Sequence, residues 1–406
     1  MRPWRYGAWL LAVPLALAAW LAPAATAAPA VGPPEIEAKA WIVIDGRSGD
    51  VLASHAASRH LPIASTTKLM TAYVAMHELP LDKIVRAAPY HPIYGESLMG
   101  LNAGEGVSVH DLLYGLILVS GNDAAHTLAV AAAGSQARFV RQMNRHAAAL
   151  GLSDTHYANP VGLDQRGNYS SAADLATLAR DLLRMPAFAK ISDSRTALLH
   201  SLRPPRRIDT LNDLLYMAPW ATGVKTGHTF DAGYVLVGSG QKKGTSLVSA
   251  AIGAPTEETR FTDNLKLLEW GFSQYRQRLP IRRGQDLAEP EIRYSGGRLP
   301  LRAERSLQVG VRRSQQLDLR VRAPEEVEGP LQRGARLGRA SVFLDGRKVG
   351  SVALQASRQV SEASLFDRAR ATVADNLIPI GIAAFVILMI ALVVLRRLTR
   401  RNDPGG

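Results

Sequence analysis

The sequence contains no cysteine among its 406 residues. This absence excludes disulfide bonds, zinc sites built on thiolates, iron–sulfur clusters and a cysteine nucleophile. The paired histidines of a zinc-protease helix are also missing, because the segment His77-Glu78-Leu79-Pro80-Leu81 has no second histidine. We therefore predict neither a metal ion nor a cofactor.

Acidic residues are scarce relative to basic ones. The chain has 35 aspartates and glutamates against 48 lysines and arginines, which gives a net charge of +13. Such an excess is typical of nucleic-acid binding, or of an envelope protein that faces anionic lipid or an acidic wall polymer. The two ends of the chain favour the second interpretation, and we predict no nucleic-acid partner.

Residues 1–27 have the order of a secretory signal peptide. Basic residues precede an apolar run from Ala8 to Leu21, and the small residues Ala25-Thr26-Ala27 follow. We predict cleavage after Ala27. The alternative is an uncleaved anchor, which the short apolar run disfavours.

Residues 377–395 contain no charged side chain. As a helix they would extend roughly 28 Å, enough to cross a bilayer core. The basic tail 396–406 follows, so the positive-inside rule places the tail in the cytoplasm and the body outside. We predict a single-pass protein of the inner (plasma) membrane that contacts membrane lipid through its C-terminal helix, with the body on the periplasmic or extracytoplasmic face. The alternative is a buried helix of a soluble protein.

A serine and a lysine stand three residues apart in Pro62-Ile63-Ala64-Ser65-Thr66-Thr67-Lys68, at the start of a predicted helix. Residues i and i+3 share a helix face, so the Ser65 hydroxyl and the Lys68 amine can meet. An amine stripped of water can be neutral enough to take the hydroxyl proton and activate the nucleophile. The same spacing recurs at Ser239 and Lys242, which we interpret as accidental, so the pair needs support from elsewhere.

Two further motifs supply that support. Ser120-Gly121-Asn122 forms a tight turn between two apolar helical segments, the rigid setting that a catalytic polar group needs. Lys225-Thr226-Gly227 lies on a predicted edge strand, where Gly227 would admit a ligand backbone and the two other side chains could hold a carboxylate. Each motif alone is also ordinary turn or strand material.

The remaining patterns predict a mixed α/β (α+β) chain. A β-hairpin covers residues 40–53, and an antiparallel sheet packs against a helix from Glu257 to Tyr275. Residues 190–222 show no clear pattern and are expected to be irregular. The predicted parts are a catalytic domain at 35–276, a small all-β domain at 280–356, a linker at 357–376 and the membrane segment at 377–395.

The order and spacing of the three motifs resemble those of the low-molecular-mass penicillin-binding proteins, which are D-alanyl-D-alanine carboxypeptidases of the penicillin-recognising serine peptidases. The resemblance covers about residues 36–275 and implies a β-lactamase/transpeptidase-like domain, an antiparallel sheet flanked by helices. The β domain and the anchor match the family in layout only. The segments that carry the resemblance are Ser65-Thr66-Thr67-Lys68-Leu69-Met70-Thr71-Ala72-Tyr73, Gly95-Glu96-Ser97-Leu98-Met99, Ser120-Gly121-Asn122-Asp123-Ala124-Ala125, Asn159-Pro160-Val161-Gly162-Leu163 and Gly223-Val224-Lys225-Thr226-Gly227-His228-Thr229.

The resemblance implies a role for each catalytic residue. Ser65 would attack the carbonyl between the two D-alanines that end a peptidoglycan stem peptide, and Lys68 would take its proton. Ser120 would help to pass a proton to the leaving D-alanine, and Asn122 would hold Lys68 and the substrate amide. β-Lactam antibiotics mimic this substrate and would act as covalent inhibitors on Ser65.

The resemblance also implies a binding strand. Lys225, Thr226 and Gly227 would bind the terminal carboxylate, with Arg260 nearby, and the backbone N–H groups of Ser65 and His228 would form the oxyanion hole. One departure concerns Leu211, which stands where family members often have a basic residue.

Three functions remain open at this point. The first is a D,D-carboxypeptidase. The second is a D,D-endopeptidase or a β-lactamase on the same fold, although residues 155–175 contain no glutamate of the kind that activates the deacylating water in class A β-lactamases. The third is a membrane-held scaffold without catalysis, which would have no need of all four of Ser65, Lys68, Ser120 and Lys225.

Overall fold

The structure is a computed structural model that describes residues 32–312, 315–375 and 377–401. The predicted signal peptide at residues 1–27 lies outside the described residues, as do residues 402–406 of the predicted basic tail.

The first region of the chain, residues 40–273, contains both strands and helices. The strands are β1 (Ala40–Asp45), β2 (Val51–His55), β3 (Ile84–Arg86), β4 (Gly106–Ser108), β5 (Thr196–Leu199), β6 (Arg206–Asp209), β7 (Ala221–Thr229), β8 (Gly233–Lys242) and β9 (Thr245–Ala254). The helices are a 3-10 helix (Ala64–Thr67), α1 (Lys68–Glu78), α2 (Val109–Ile117), α3 (Asn122–Ala133), α4 (Gln136–Ala149), α5 (Ala172–Leu183), α6 (Pro186–Ser192), α7 (Leu214–Met217) and α8 (Glu257–Ser273).

Four of these helices begin at a side-chain N-cap. The hydroxyls of Ser108, Ser135, Ser171 and Thr256 each accept the N–H of the residue three positions later. Such a bond satisfies one of the N–H groups that a helix start leaves unpaired. The caps fix where α2, α4, α5 and α8 begin.

Five antiparallel strands form the central sheet in the order β2-β1-β9-β8-β7. Side chains of a strand alternate between the two faces. Ile42 and Ile44 therefore join the large core that contains α1 and α5, whereas Trp41 and Val43 pack with Leu267 of α8. The sheet is thus flanked by helices on both faces, as the sequence predicted, and β7 is an edge strand.

The segment 190–222 is more regular than expected. β5 and β6 pair as an antiparallel hairpin, with Thr196 opposite Asp209, and the short helix α7 follows. The strands are only four residues long and half of their side chains are exposed. They therefore lack the alternation that would have revealed them in the sequence.

A second region is made of strands. These are β10 (Tyr275–Ile281), β11 (Asp286–Ala288), β12 (Glu291–Ile292), β13 (Gly297–Arg298), β14 (Leu301–Ala303), β15 (Leu307–Arg312), β16 (Leu317–Arg322), β17 (Glu326–Val327), β18 (Arg336–Leu344) and β19 (Arg347–Ala356). Its largest sheet has the order β11-β14-β19-β18-β16. Leu301, Val342 and Leu354 belong to a hydrophobic core of its own.

Two helices follow, α9 (Leu365–Asp375) and α10 (Leu377–Arg401). The first lies within the predicted helical linker, and the second contains the predicted membrane segment. Over the described ranges of the chain, the structure has no helix that is long and apolar enough to cross a membrane.

Candidate active site

Ser65 and Lys68 meet at the junction of the 3-10 helix and α1. Residues i and i+3 of a 3-10 turn are eclipsed, and Lys68 Nζ lies 2.9 Å from Ser65 Oγ. The amine also donates a hydrogen bond to the Val161 carbonyl at 2.6 Å. Lys68 is therefore held beside the hydroxyl from which it would take a proton.

The environment of Lys68 makes the amine a usable base. Complete burial lowers the pKa of Lys68 to about 7, although the negative charges of Glu96 and Asp123 act in the opposite direction. A base works best when its pKa is close to the working pH. Near neutrality, about half of the Lys68 side chains are then free amines.

Ser120 lies in the turn between α2 and α3 and is 4% exposed. Its φ of 60° is unusual for a residue with a side chain, and Ala64, directly before Ser65, has a φ of 47°. Strained residues of this kind gather at active sites. Among the described residues, the Ser120 hydroxyl has no hydrogen-bond partner, so it can serve a bound group.

Asn122 opens α3 and is also buried. Its Nδ2 donates to Glu96 Oε2 at 2.8 Å, and the structure gives it no hydrogen bond to Lys68 within the described ranges. The contact with Lys68 that the resemblance implies is therefore not observed among the described residues. Asn122 is bonded instead to Glu96, whose charge acts on the Lys68 amine. With Nδ2 engaged in this way, Oδ1 is left for a substrate amide.

The edge strand β7 runs directly beside the nucleophile. A Cβ atom built on Gly227 would lie 3.0 Å from the Ser65 amide nitrogen and 3.1 Å from the Ala64 Cβ. Only a glycine lets the two segments approach so closely without displacement. Thr226 is buried next to it, and His228 is exposed with its ring stacked 4.1 Å from the Tyr234 ring.

Lys225 and Arg260 bring further positive charge to this strand. Lys225 is 1% exposed, and its pKa is lowered first by burial and then by the charges of Lys68 and Arg260. Arg260 is paired with Glu257 and lies 3.4 Å from the Gly227 carbonyl. Lys225 lies on β7 and Arg260 lies beside it, where the sequence predicts a carboxylate-binding site.

The segment Asn159-Pro160-Val161-Gly162-Leu163 packs against the catalytic turn. Thr71 of α1 donates to the Pro160 carbonyl at 2.6 Å, in addition to the bond from Lys68 to Val161. Gly162 has a φ of 91°, and a Cβ there would lie 2.0 Å from the Ala64 carbonyl oxygen. Main-chain carbonyls of this segment therefore hold the side chains of Lys68 and Thr71 in place.

Sequence reasoning gave no role to two residues that the structure brings to the site. Glu96 contacts Asn122, and Asp123 accepts the N–H groups of Met99, Gly100 and Leu101 at 2.7–2.9 Å. In the sequence, the segment Gly95-Glu96-Ser97 is marked only by the family resemblance. Leu211 is 47% exposed, and its N–H bonds to the Leu118 carbonyl, beside the Ser120 turn.

Comparisons with known proteins agree with this geometry. The family profile described as D-alanyl-D-alanine carboxypeptidase matches residues 26–256. The D-alanyl-D-alanine carboxypeptidase DacA of Escherichia coli K12 is 34% identical over 354 residues, which cover 83% of this chain and 87% of that protein. The chain belongs to the D-alanyl-D-alanine carboxypeptidase family.

The other matches extend this D-alanyl-D-alanine carboxypeptidase likeness to the β domain. The profile described as the C-terminal domain of penicillin-binding protein 5 matches residues 275–362. The structure of penicillin-binding protein 5 from Haemophilus influenzae aligns with a TM-score of 0.57 at 30% identity, covering 82% of this chain and 100% of that one. The structure of DacD from Francisella tularensis aligns with a TM-score of 0.59 at 25% identity, covering 84% of this chain and 98% of that one.

The prediction of a serine-type D-alanyl-D-alanine carboxypeptidase of the penicillin-binding proteins is thereby confirmed. The two-part fold, a catalytic domain followed by a C-terminal β domain, is confirmed as well.

Proposed function

We propose that the protein removes the terminal D-alanine from peptidoglycan stem pentapeptides through an acyl-enzyme on Ser65. Lys68 takes the hydroxyl proton as Ser65 Oγ bonds to the carbonyl carbon between the two D-alanines. The C–N bond to the terminal D-alanine then breaks, and the proton reaches the leaving amine with the help of Ser120. Water hydrolyses the ester and restores Ser65.

Binding of the peptide is assigned to β7. Its outer edge has no partner strand among the described residues, so an extended peptide can lie along it as a further strand. Lys225, Thr226 and Gly227 would hold the terminal carboxylate, with Arg260 reinforcing the positive charge. The N–H groups of Ser65 and His228 would stabilise the oxyanion, a contribution typically of about a hundredfold or more in rate. β-Lactams would acylate the same hydroxyl.

The observation that carries this proposal is the 2.9 Å contact between Lys68 Nζ and Ser65 Oγ. It joins a hydroxyl to an amine whose pKa burial lowers to about 7. An exposed lysine would be almost fully protonated at neutral pH and could not act as the base.

The test uses a fluorescent penicillin and a pentapeptide ending in D-Ala-D-Ala. The wild type should be labelled and should release D-alanine, whereas Ser65→Ala should do neither. Lys68→Arg keeps its proton at any working pH and should lose acylation. Normal labelling of Lys68→Arg would overturn the role of Lys68, and rapid penicillin turnover without peptide cleavage would favour a β-lactamase.

We also propose that the protein is held at the plasma membrane by residues 377–395, with its catalytic body on the extracytoplasmic face and its signal peptide, residues 1–27, removed. The support comes from the sequence, where an uncharged run is followed by Arg396, Arg397, Arg400 and Arg401. We propose in addition that the catalytic domain covers residues 35–276 and the small β domain residues 280–356.

Membrane attachment is testable by fractionation. The full chain should sediment with membranes and resist extraction with salt, and a chain ending at residue 376 should be released. Equal distribution of the two chains would contradict the anchor. Protease added outside spheroplasts should digest the body, since the proposal places it on that face.

A further inference from the structure

The carboxylate of Glu96 is built into the catalytic turn. Its Oε2 accepts Asn122 Nδ2 at 2.8 Å and also the Tyr90 hydroxyl, and its Oε1 accepts the Ile93 N–H at 3.3 Å. Two of these donors are side chains that approach from different parts of the chain. The Glu96 carboxylate is thus held in one orientation next to Asn122.

The backbone around Glu96 is fixed to the same turn. The Ser97 carbonyl accepts the Asn122 N–H at 2.8 Å. The Asp123 carboxylate accepts four backbone N–H groups, those of Met99, Gly100, Leu101 and its neighbour Ala124. Asp123 therefore holds the backbone of this loop, and its removal would disturb the fold. Glu96 accepts hydrogen bonds from the side chains of Asn122 and Tyr90 at the site.

Three charged groups act on the buried pair Lys68 and Lys225, and the two lysines also act on each other. Glu96 and Asp123 are negative and favour the ammonium form of Lys68, with the larger contribution from Glu96. Lys225 approaches from β7, and Arg260 of α8 acts on Lys225. Glu96 is held ionised by its hydrogen bonds from Asn122 and Tyr90, which lower its pKa against the effect of burial.

We propose that Glu96 is a positioning residue for the reaction. Its carboxylate orients the Asn122 amide so that Oδ1 is left for the substrate, and its charge stabilises the Lys68 ammonium that forms when Ser65 gives up its proton. This inference rests on the proposed function, because it assigns Lys68 the role of base.

The two roles of Glu96 can be separated by substitution. Glu96→Gln keeps an oxygen that can accept from Asn122 but removes the charge. The acidic limb of the pH profile for acylation should then move to lower pH by roughly half a unit to one unit, because an opposite charge near an amine raises its pKa. Glu96→Asp keeps the charge but shortens the reach to Asn122, so KM for the pentapeptide should rise about tenfold while the limb stays in place.

The experiment measures the acylation rate with fluorescent penicillin from pH 5 to 9, together with kcat and KM for D-alanine release, on the full chain. Glu105→Gln is the matched control, because Glu105 is half-buried on the same connection and, among the described residues, its carboxylate accepts only the Asn102 N–H. Its limb and KM should equal those of the wild type. Thermal unfolding of each variant checks that the fold is retained.

The outcomes decide between the alternatives. A limb that does not move in Glu96→Gln would overturn the electrostatic role. A shift of the limb to lower pH by roughly half a unit or more in Glu96→Asp, which keeps the charge, would overturn it as well. The second result can be read even if Glu96→Gln does not fold. An unchanged KM in Glu96→Asp would overturn the orienting role. Absence of labelling in the wild type would instead refute the proposed function, so the two failures are distinguishable.

Discussion

Lys68→Met should change the pH dependence of stability in a calculable way. The pKa of Lys68 falls from 10.5 to about 7 on folding because the amine is fully buried. The folded state therefore binds fewer protons than the unfolded state between these two values, and stability rises with pH across that window. From pH 7 to pH 9 this one group contributes an increase of about 2 kcal/mol, at roughly 1.4 kcal/mol per unit and allowing for partial protonation at pH 7.

The variant lacks this contribution, so the difference in unfolding free energy between wild type and Lys68→Met should change by about 2 kcal/mol from pH 7 to pH 9. Denaturant titrations followed by tryptophan fluorescence measure it well, since Trp41, Trp220 and Trp270 all lie in the catalytic region. Lys83→Met, at an exposed lysine, is the control and should follow the wild type. If the unfolding free energies of wild type and Lys68→Met changed equally between pH 7 and pH 9, the claim that burial sets the pKa of Lys68 would be refuted.

Three further predictions concern the same site. The rate of acylation by penicillin should rise with pH through about 7 and then level off, because the free amine of Lys68 is the active form; a rate independent of pH from 5 to 8 would argue against it. Gly162→Ala should lower the free energy of unfolding by about 3 kcal/mol, because its Cβ would meet the Ala64 carbonyl. Gly104→Ala is the control: Gly104 has a φ of 79° but open space around it, so this variant shows the smaller cost of the backbone conformation alone. Gly227→Ala should retain the fold but slow acylation about tenfold or more, because displacing the Ser65 segment by a fraction of an ångström disturbs its alignment; normal acylation would show that this approach is not required.

The catalytic motifs could be found in the sequence because each follows a local rule. The spacing of Ser65 and Lys68 places them on one face, Ser120 sits between two apolar helices, and Lys225 begins a motif followed by two strands that pair. The topology puts that motif on an edge strand, as expected. Spacing could not separate this pair from Ser239 and Lys242, which the structure places on β8, between β7 and β9.

The remainder of the site depends on contacts between distant parts of the chain, which no local sequence pattern indicates. Glu96 contacts Asn122 from a loop 26 residues earlier in the chain. The position of a glutamate in a loop does not predict which residue it will contact. The bond from Lys68 to Val161 involves a carbonyl, and any residue type at that position would present one. The hairpin of β5 and β6 is short and half exposed, so its side chains carry too little pattern to predict it.

The groups that surround Ser65 and Lys68 are to a large extent main-chain atoms. The Val161 carbonyl, the close approach at Gly227 and the packing of Gly162 on Ala64 cannot be removed by exchanging a side chain without moving the backbone itself. Substitution of Gly162 or Gly227 is therefore expected to displace the backbone beside Ser65. Variants that alter sensitivity to β-lactams but retain carboxypeptidase activity are expected instead at exposed side chains such as Leu211 and His228. A substitution there leaves the backbone around Ser65 in place.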